Sequence, residues 1–328
     1  MTRQPGFLGL GAYAPAHVMH NEDWRRYVDT TDEWIVQWTG IERRRMADPR
    51  ESTLDLAVAA ARAALADAGM SAPDLGELIV ATDTPEMRIP DTASAVQHAL
   101  GARHIPSYDV AGSGCAGFLQ CVDIARSRVR TGTEAVLVIG VELLSRLVSW
   151  SDRETSILFG DAAGAAVIGG AAGEGEILAV TAGTDGSHGG LLTMPYGGTR
   201  HPLTRELVAE EAHKRVIMKG RELFRHAVHH MSEASLEVMR LAGISLDEIA
   251  LVVPHQANLR IIEAVSARLC LPLSKFFVNI RDYGNTGSAS IPLALCQARD
   301  EKRAAPGDIV LLTSFGAGLH WAAMLVRL

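Results

Sequence analysis

Tyr108-Asp109-Val110-Ala111-Gly112-Ser113-Gly114-Cys115-Ala116-Gly117-Phe118-Leu119 carries the decision about the fold. An extended segment runs into two glycines and a cysteine. A long segment follows in which Phe118, Leu119, Val122, Ile124, Ala125 and Val129 recur at the spacing of one buried helical face. The pattern predicts a strand that turns sharply into a helix, with Cys115 at the junction. Gly112 and Gly114 allow positive φ and close backbone approach there. A helix start beside the sulfur favours the thiolate, so a lowered thiol pKa is expected. Taken alone, the same turn suits a small buried residue better than a nucleophile.

The surrounding chain places that turn in an α/β protein. Ser52 is positioned to cap an amphipathic helix that runs to Ala68 and stops at Gly69. Leu78–Thr82 and Ala135–Gly140 read as buried strands, and Thr92–Leu100 as a helix. Gly6–Ala14 reads as a first strand. Continuous apolar strands alternating with helices imply sheets covered on both faces. The second half echoes the first. Leu65–Ser71 followed by Leu78-Ile79-Val80 is matched by Leu241–Ser245 followed by Leu251-Val252-Val253. The Cys115 helix and its following strand are matched by a Ser288–Arg299 helix and Ile309–Thr313. An internal duplication is therefore expected. Its halves are 1–172, carrying the cysteine, and 173–328, with Gly169–Gly175 as the link.

Bulk composition narrows the function. The 328 residues are 48% hydrophobic and 21% charged, with a net charge of −7. Ordinary globular balance fits the first figures, and an acidic chain is not a nucleic-acid binder by its overall field. Cys115, Cys121, Cys270 and Cys296 form no CxxC pair and no metal-ligand spacing. No metal is expected, and a reducing cytoplasm is the simplest setting. No secretory signal and no membrane-length apolar run is evident.

A cysteine nucleophile needs partners. His255 directly follows the apolar strand ending Val252-Val253-Pro254 and precedes a helix, where α/β folds place functional groups. Asn285 lies in a polar, Gly-rich loop, Asp282–Ser290, and read alone is a turn former or cap. Ser314-Phe315-Gly316-Ala317-Gly318 follows the last core strand and could offer backbone N–H groups to an oxyanion. Thr31 or Asp32 could cap a short helix carrying Trp34 and Trp38, whose i, i+4 spacing favours packing into a core over an aromatic face for a flat ligand. Glu42-Arg43-Arg44-Arg45 reads as a solvated basic cluster.

Together Gly114-Cys115-Ala116-Gly117-Phe118, Pro254-His255-Gln256-Ala257-Asn258 and Gly284-Asn285-Thr286 resemble the β-ketoacyl-acyl carrier protein synthase III family of thiolase-fold condensing enzymes. Asp32–Val36, Phe159-Gly160-Asp161 and Gly316–Leu319 fit the likeness, which extends over nearly the whole chain. The resemblance implies a five-layered αβαβα fold from two duplicated halves, a homodimer, and a Cys115-His255-Asn285 triad with Gly318 and Cys115 N–H groups as the oxyanion hole. It implies condensation of a short acyl-coenzyme A (acyl-CoA) with malonyl-acyl carrier protein, priming type II fatty-acid synthesis, with no tightly bound cofactor. A related acyltransferase or starter-condensing enzyme of polyketide metabolism is the alternative. A non-catalytic acyl-thioester-binding dimer is a third reading, against which the intact Cys, His and Asn stand. A papain-like protease also uses Cys, His and Asn, but its local signature is absent.

For coenzyme A the resemblance points to Trp34 stacking on adenine with Arg153 opposite, and to Thr30, Gly220 and Asn258 along the nucleotide and pantetheine path. It assigns Arg225 and Arg260 to carrier-protein docking, within a basic stretch that includes Lys214, Arg215, Lys219 and Arg221; another usual basic position is Ala267. It places Ile89, contributed across the dimer, with Leu144, Phe159 and Leu203 around the acyl group. Two departures stand out. Trp38 occupies a position where the family usually has a nucleotide-contacting Arg, and His320 one where Thr is more usual.

Overall fold

Apolar runs become strands buried from end to end, and the polar breaks between them become the turns that carry chemistry. The computed structural model describes residues 4–171, 173 and 175–328. The first half contains β1 (Pro5–Tyr13), β2 (His17–His20), α1 (Asp32–Thr39), β3 (Arg43–Met46), α2 (Thr53–Asp67), β4 (Glu77–Ala81), α3 (Thr92–Leu100), β5 (Ser107–Val110), α4 (Gly117–Arg130), β6 (Ala135–Leu143) and β7 (Asp161–Gly170). The second contains β8 (Glu176–Thr184), β9 (Leu192–Thr193), α5 (Arg205–Ala209), β10 (Ile217–Met218), α6 (Gly220–Ala242), β11 (Ile249–Pro254), α7 (Leu259–Leu269), α8 (Ile280–Tyr283), α9 (Ser290–Asp300), β12 (Ile309–Gly316) and β13 (His320–Arg327).

The duplication is visible in strand order. In the first half the order is β5-β4-β6-β7-β1. In the second it is β11-β12-β13-β8, with Phe276 bridging Val252 in parallel beyond β11. Each half thus runs third, second, fourth, fifth, first. The directions match as well: β4 is parallel to β5 and β6, while β7 runs antiparallel to β6 and β1. Likewise β11 is parallel to β12, while β13 runs antiparallel to β12 and β8. The halves meet where β1 pairs with β8, Gly6 opposite Glu176. Residues 172 and 174, on which the expected boundary and link fall, lie outside the described residues.

Helices fill the space in layers. α2 and α3 cover one face of the first half's strands, and α6 covers the outer face of β8, β12 and β13 with α7 packed beside it. α4 and α9 lie between, each touching strands of both halves. A continuous apolar core joins α4 and α9 to β4, β6, β11, β12 and β13 through residues such as Phe118, Val122, Val138, Ile291, Leu295 and Leu312. The five-layered αβαβα arrangement that the resemblance implies is present.

Two local expectations are corrected. Arg44, placed by the sequence on a solvated face, is wholly buried in β3. Its guanidinium donates to Asn21 Oδ1 at 2.5 Å and to the Ile157 carbonyl, and lies over the Trp24 ring. Burial pushes it down to about 9, opposed by Asp32. The basic run hid a strand whose alternate residues face inward. Trp38 is the second correction. Thr31 caps α1 as expected, and Trp34 packs beside Ile35 and Ile157, but Trp38 is 47% exposed and outside that core. The helix is a single short layer, and Ile35 and Thr39 occupy its buried stripe instead.

Candidate active site

The nucleophile turn forms as its glycines require. Gly112 and Gly114 adopt φ of 74° and 53°, values open to glycine at little cost. Gly114–Ala116 make one 3-10 turn, and α4 begins at Gly117. The end of β12 packs against this turn so tightly that a Cβ on Gly316 would lie 2.5 Å from Cys115 N, and one on Gly114 would lie 2.7 Å from Ala317 N. The glycine-rich Gly316–Gly318 loop therefore abuts the cysteine backbone directly.

Asn285 arrives from the other half. Its backbone is pinned to the segment just before β7, with Asn285 N–H donating to Leu158 O at 2.8 Å and Gly160 N–H donating to Asn285 O at 3.0 Å. Its side-chain Oδ1 accepts Gly287 N–H at 2.9 Å and faces Cys115 Sγ at 3.9 Å. With Oδ1 so engaged, the amide Nδ2 is the free donor of the group.

His255 follows β11, where its N–H donates to Thr313 O at 2.8 Å. Its ring is buried, and Nδ1 lies 2.6 Å from Ser290 Oγ. Ser290 follows the Gly287–Ala289 turn that packs on the cysteine turn, so the anchor of the imidazole and the loop of Asn285 are one unit. Burial pushes His255 down to about 3, which keeps the ring neutral.

The thiol behaves differently from the sequence expectation. Cys115 keeps some solvent exposure. Burial, then the Glu142 and Asp83 carboxylates, nevertheless push its thiol up, against the Cys115 N–H and Asn285. Burial first, and the two carboxylates after it, outweigh the lowering expected from the helix start. Neither Glu142 nor Asp83 was singled out from the sequence. Glu142 is the one charge in the buried run Ala135–Leu143, and a charge inside such a run was the available signal.

At the surface, Arg153 stacks over Trp34 at 4.0 Å and Arg260 over Trp38 at 4.4 Å. The two indoles are 6.3 Å apart. Asn258 caps α7 and donates to Trp38 O at 3.0 Å. Thr30 is buried with an unpartnered hydroxyl, and Gly220 opens α6 facing free space. Trp34, Trp38, Arg153, Arg260 and Asn258 gather on one aromatic and cationic face, to which no contact ties Thr30 or Gly220 among the described residues. Arg225 sits on the first turns of α6, exposed. Leu144 is buried against Gly287, and Phe159 pairs its backbone with Asn285. Leu203 is 42% exposed and Ile89 is 88% exposed, so neither closes a pocket within the single chain. His320 lies against Gly318, with Nδ1 2.8 Å from Thr184 Oγ1.

Comparison with known proteins identifies the family. Residues 108–186 match the model of 3-oxoacyl-[acyl-carrier-protein (ACP)] synthase III, and residues 239–328 match that of its C-terminal part. A β-ketoacyl-[acyl-carrier-protein] synthase III of Roseiflexus castenholzii is 45% identical over 100% of this chain and 99% of its own. The crystal structure of 3-oxoacyl-[acyl-carrier-protein] synthase III from Aquifex aeolicus superposes with a TM-score of 0.90 at 42% identity, covering 99% of this chain and 100% of that one. The priming β-ketosynthase from the R1128 polyketide biosynthetic pathway superposes with a TM-score of 0.90 at 35% identity, covering 99% of this chain and 97% of its own. The chain belongs to the β-ketoacyl-acyl carrier protein synthase III family.

Proposed function

We propose that the protein condenses a short acyl-CoA starter with malonyl-acyl carrier protein, yielding a 3-oxoacyl-acyl carrier protein, CO2 and CoA, and so primes type II fatty-acid synthesis. The observation that carries the reading is Cys115 Sγ facing Asn285 Oδ1 at 3.9 Å across the two halves of the chain. No resident cofactor takes part, and the acyl-CoA is a substrate.

Cys115 sulfur attacks the thioester carbonyl. Its proton leaves with the CoA sulfur, so acyl transfer is neutral in protons. The Cys115 and Gly318 N–H groups stabilise the tetrahedral oxyanion. Malonyl carrier then enters, and loss of CO2 places negative charge on its thioester oxygen. With Ser290 donating to Nδ1, neutral His255 carries its proton on Nε2 and donates to that oxygen beside Asn285 Nδ2. The enolate carbon attacks the acyl-cysteine, and the expelled thiolate takes a proton from solvent.

Trp34 and Arg153 would receive the adenine between them, with Thr30, Gly220 and Asn258 along the pantetheine path. Arg225 and Arg260 supply positive charge for the acidic carrier on a chain of net charge −7. A homodimer would bring Ile89 of one chain to the acyl group of the other, alongside Leu144, Phe159 and Leu203. The catalytic groups divide between residues 1–172 and 173–328. A polyketide starter role is the second reading, favoured by the Arg260 stack on Trp38, which alters the donor-facing surface.

Incubation of the protein with acyl-CoA donors and malonyl-carrier tests the reading. A 3-oxoacyl-carrier product that disappears in Cys115→Ala is expected. Wild-type protein that forms no such product with any straight or branched starter would overturn it.

A further inference from the structure

The carboxylate beneath the thiol has a second set of connections. Glu142, at the end of β6, accepts Thr84 Oγ1–H at 2.8 Å and faces Ser288 Oγ at 2.9 Å. Asp83 N–H reaches both of its oxygens at 3.2 Å. Asp83 in turn accepts Gly112 N–H on Oδ1 at 2.8 Å. Gly287 closes on the same group, since a Cβ there would lie 2.7 Å from Glu142 Cγ. One buried side chain therefore touches both turns of the site. Through Asp83 it holds the turn that begins at Gly112 and carries Cys115. Through Ser288 and Gly287 it holds the turn that fixes Asn285 Oδ1.

We propose that Glu142, acting through Asp83, is a positioning residue of the condensing reaction: it ties the cysteine turn to the asparagine turn, and the linked pair of carboxylates sets the charge that the Cys115 sulfur faces. The inference rests on the acyl-transfer reading of Cys115. The titratable or charged groups that act on the thiol come from three segments. They are Glu142 on β6 and Asp83 after β4, with His320 on β13 acting on Asp83; Asn285 is the neutral polar neighbour. Burial and Asp83 push Glu142 up, and burial pushes Asp83 up against Gly112, His320 and Gly114, so the pair resists carrying two full charges. Removing either charge lowers the cost of a thiolate at Cys115.

The test compares full-length wild type with Glu142→Gln and Asp83→Asn. Iodoacetamide alkylation of Cys115 is followed against pH by peptide mass spectrometry, which separates it from Cys270 on the surface. The same preparations give kcat, KM for both substrates, and Tm. Both variants should move the alkylation midpoint to lower pH by about one unit or more, the direction that loss of a neighbouring negative charge dictates. Glu142→Gln should also lower condensation kcat about tenfold or more with both KM values within about threefold, the mark of an interaction made in the transition state. An unmoved midpoint in both variants overturns the inference, including the case where kcat falls only in step with Tm. Should Glu142→Gln fail to fold, Asp83→Asn alone decides by the same midpoint. Alkylation needs no acyl donor, so this outcome is independent of whether acyl-CoA loads the cysteine.

Discussion

Asn285 Oδ1 stands 3.9 Å from Cys115 Sγ while accepting Gly287 N–H at 2.9 Å. One amide oxygen is thus committed to the protein and to the resting thiol, which leaves the NH2 as the donor that the proposed mechanism calls on. His255 Nδ1 is held by Ser290, which opens α9 directly after the same loop, and on the proposed mechanism its Nε2–H is the second donor.

Asn285→Ala and His255→Ala should therefore separate the two half-reactions. Each should retain acylation of Cys115 and lose malonyl-carrier decarboxylation by about a hundredfold or more, the usual loss when one preorganised oxyanion donor is removed. Release of CO2 from labelled malonyl-carrier measures this. Normal decarboxylation in Asn285→Ala would remove it from the role.

The depressed His255 value, about 3 against an ordinary 6.5, sets a pH signature. Between those values the unfolded chain binds the extra proton, so His255 makes stability rise with pH and fall as pH drops through the window. Asp83, Glu142 and Asp161, all pushed up by burial, act with the opposite sign. The histidine contribution is hence read as a difference. Urea unfolding of His255→Gln and wild type at pH 4 to 7 should show a shallower rise for the variant. Decarboxylation in wild type should show no acid-side loss near pH 6, since the ring is already neutral there.

Gly316→Ala introduces a Cβ 2.5 Å from Cys115 N. Neither partner is a flexible side-chain end, so backbone must move at the nucleophile. Acylation should fall about a hundredfold or more, as expected when the oxyanion geometry is disturbed, and steady-state acyl-CoA assays would show it. Wild-type rates would mean that the close approach is not needed.

Arg260 is exposed and stacked on Trp38 at 4.4 Å. Arg260→Glu should raise KM for malonyl-carrier about tenfold and weaken its salt dependence, since a basic contact to an acidic partner acts mainly through association. Trp38→Ala frees the guanidinium and should lower that KM or leave it unchanged while raising KM for acyl-CoA. Unchanged carrier kinetics in Arg260→Glu would place docking elsewhere.

Much of this was readable beforehand because the signals are local. Alternation of apolar strands with helices, Gly112 and Gly114 before Cys115, and His255 at a strand end each require only neighbours in sequence. The shared strand order of the two halves follows from the Leu65–Val80 and Leu241–Val253 echoes. What was missed depends on contacts between distant segments. Arg44 sits in a basic run that looks solvated, and only the docking of Asn21 and Ile157 around it makes it a core residue. Trp38 has the spacing of a buried residue, but α1 buries Ile35 and Thr39 instead. The thiol was expected to be acidic from the helix start alone. Burial of the sulfur, with Glu142 on β6 and Asp83 after β4 adding to it, reverses that direction.

The central claim is that Cys115 accepts an acyl group from a thioester. Intact-protein mass spectrometry after exposure to a panel of acyl-CoA donors tests it most directly. The account predicts a single acyl adduct on wild type, absent in Cys115→Ala and released when malonyl-carrier is added. An adduct that persists in Cys115→Ala, or no adduct with any donor, would contradict it.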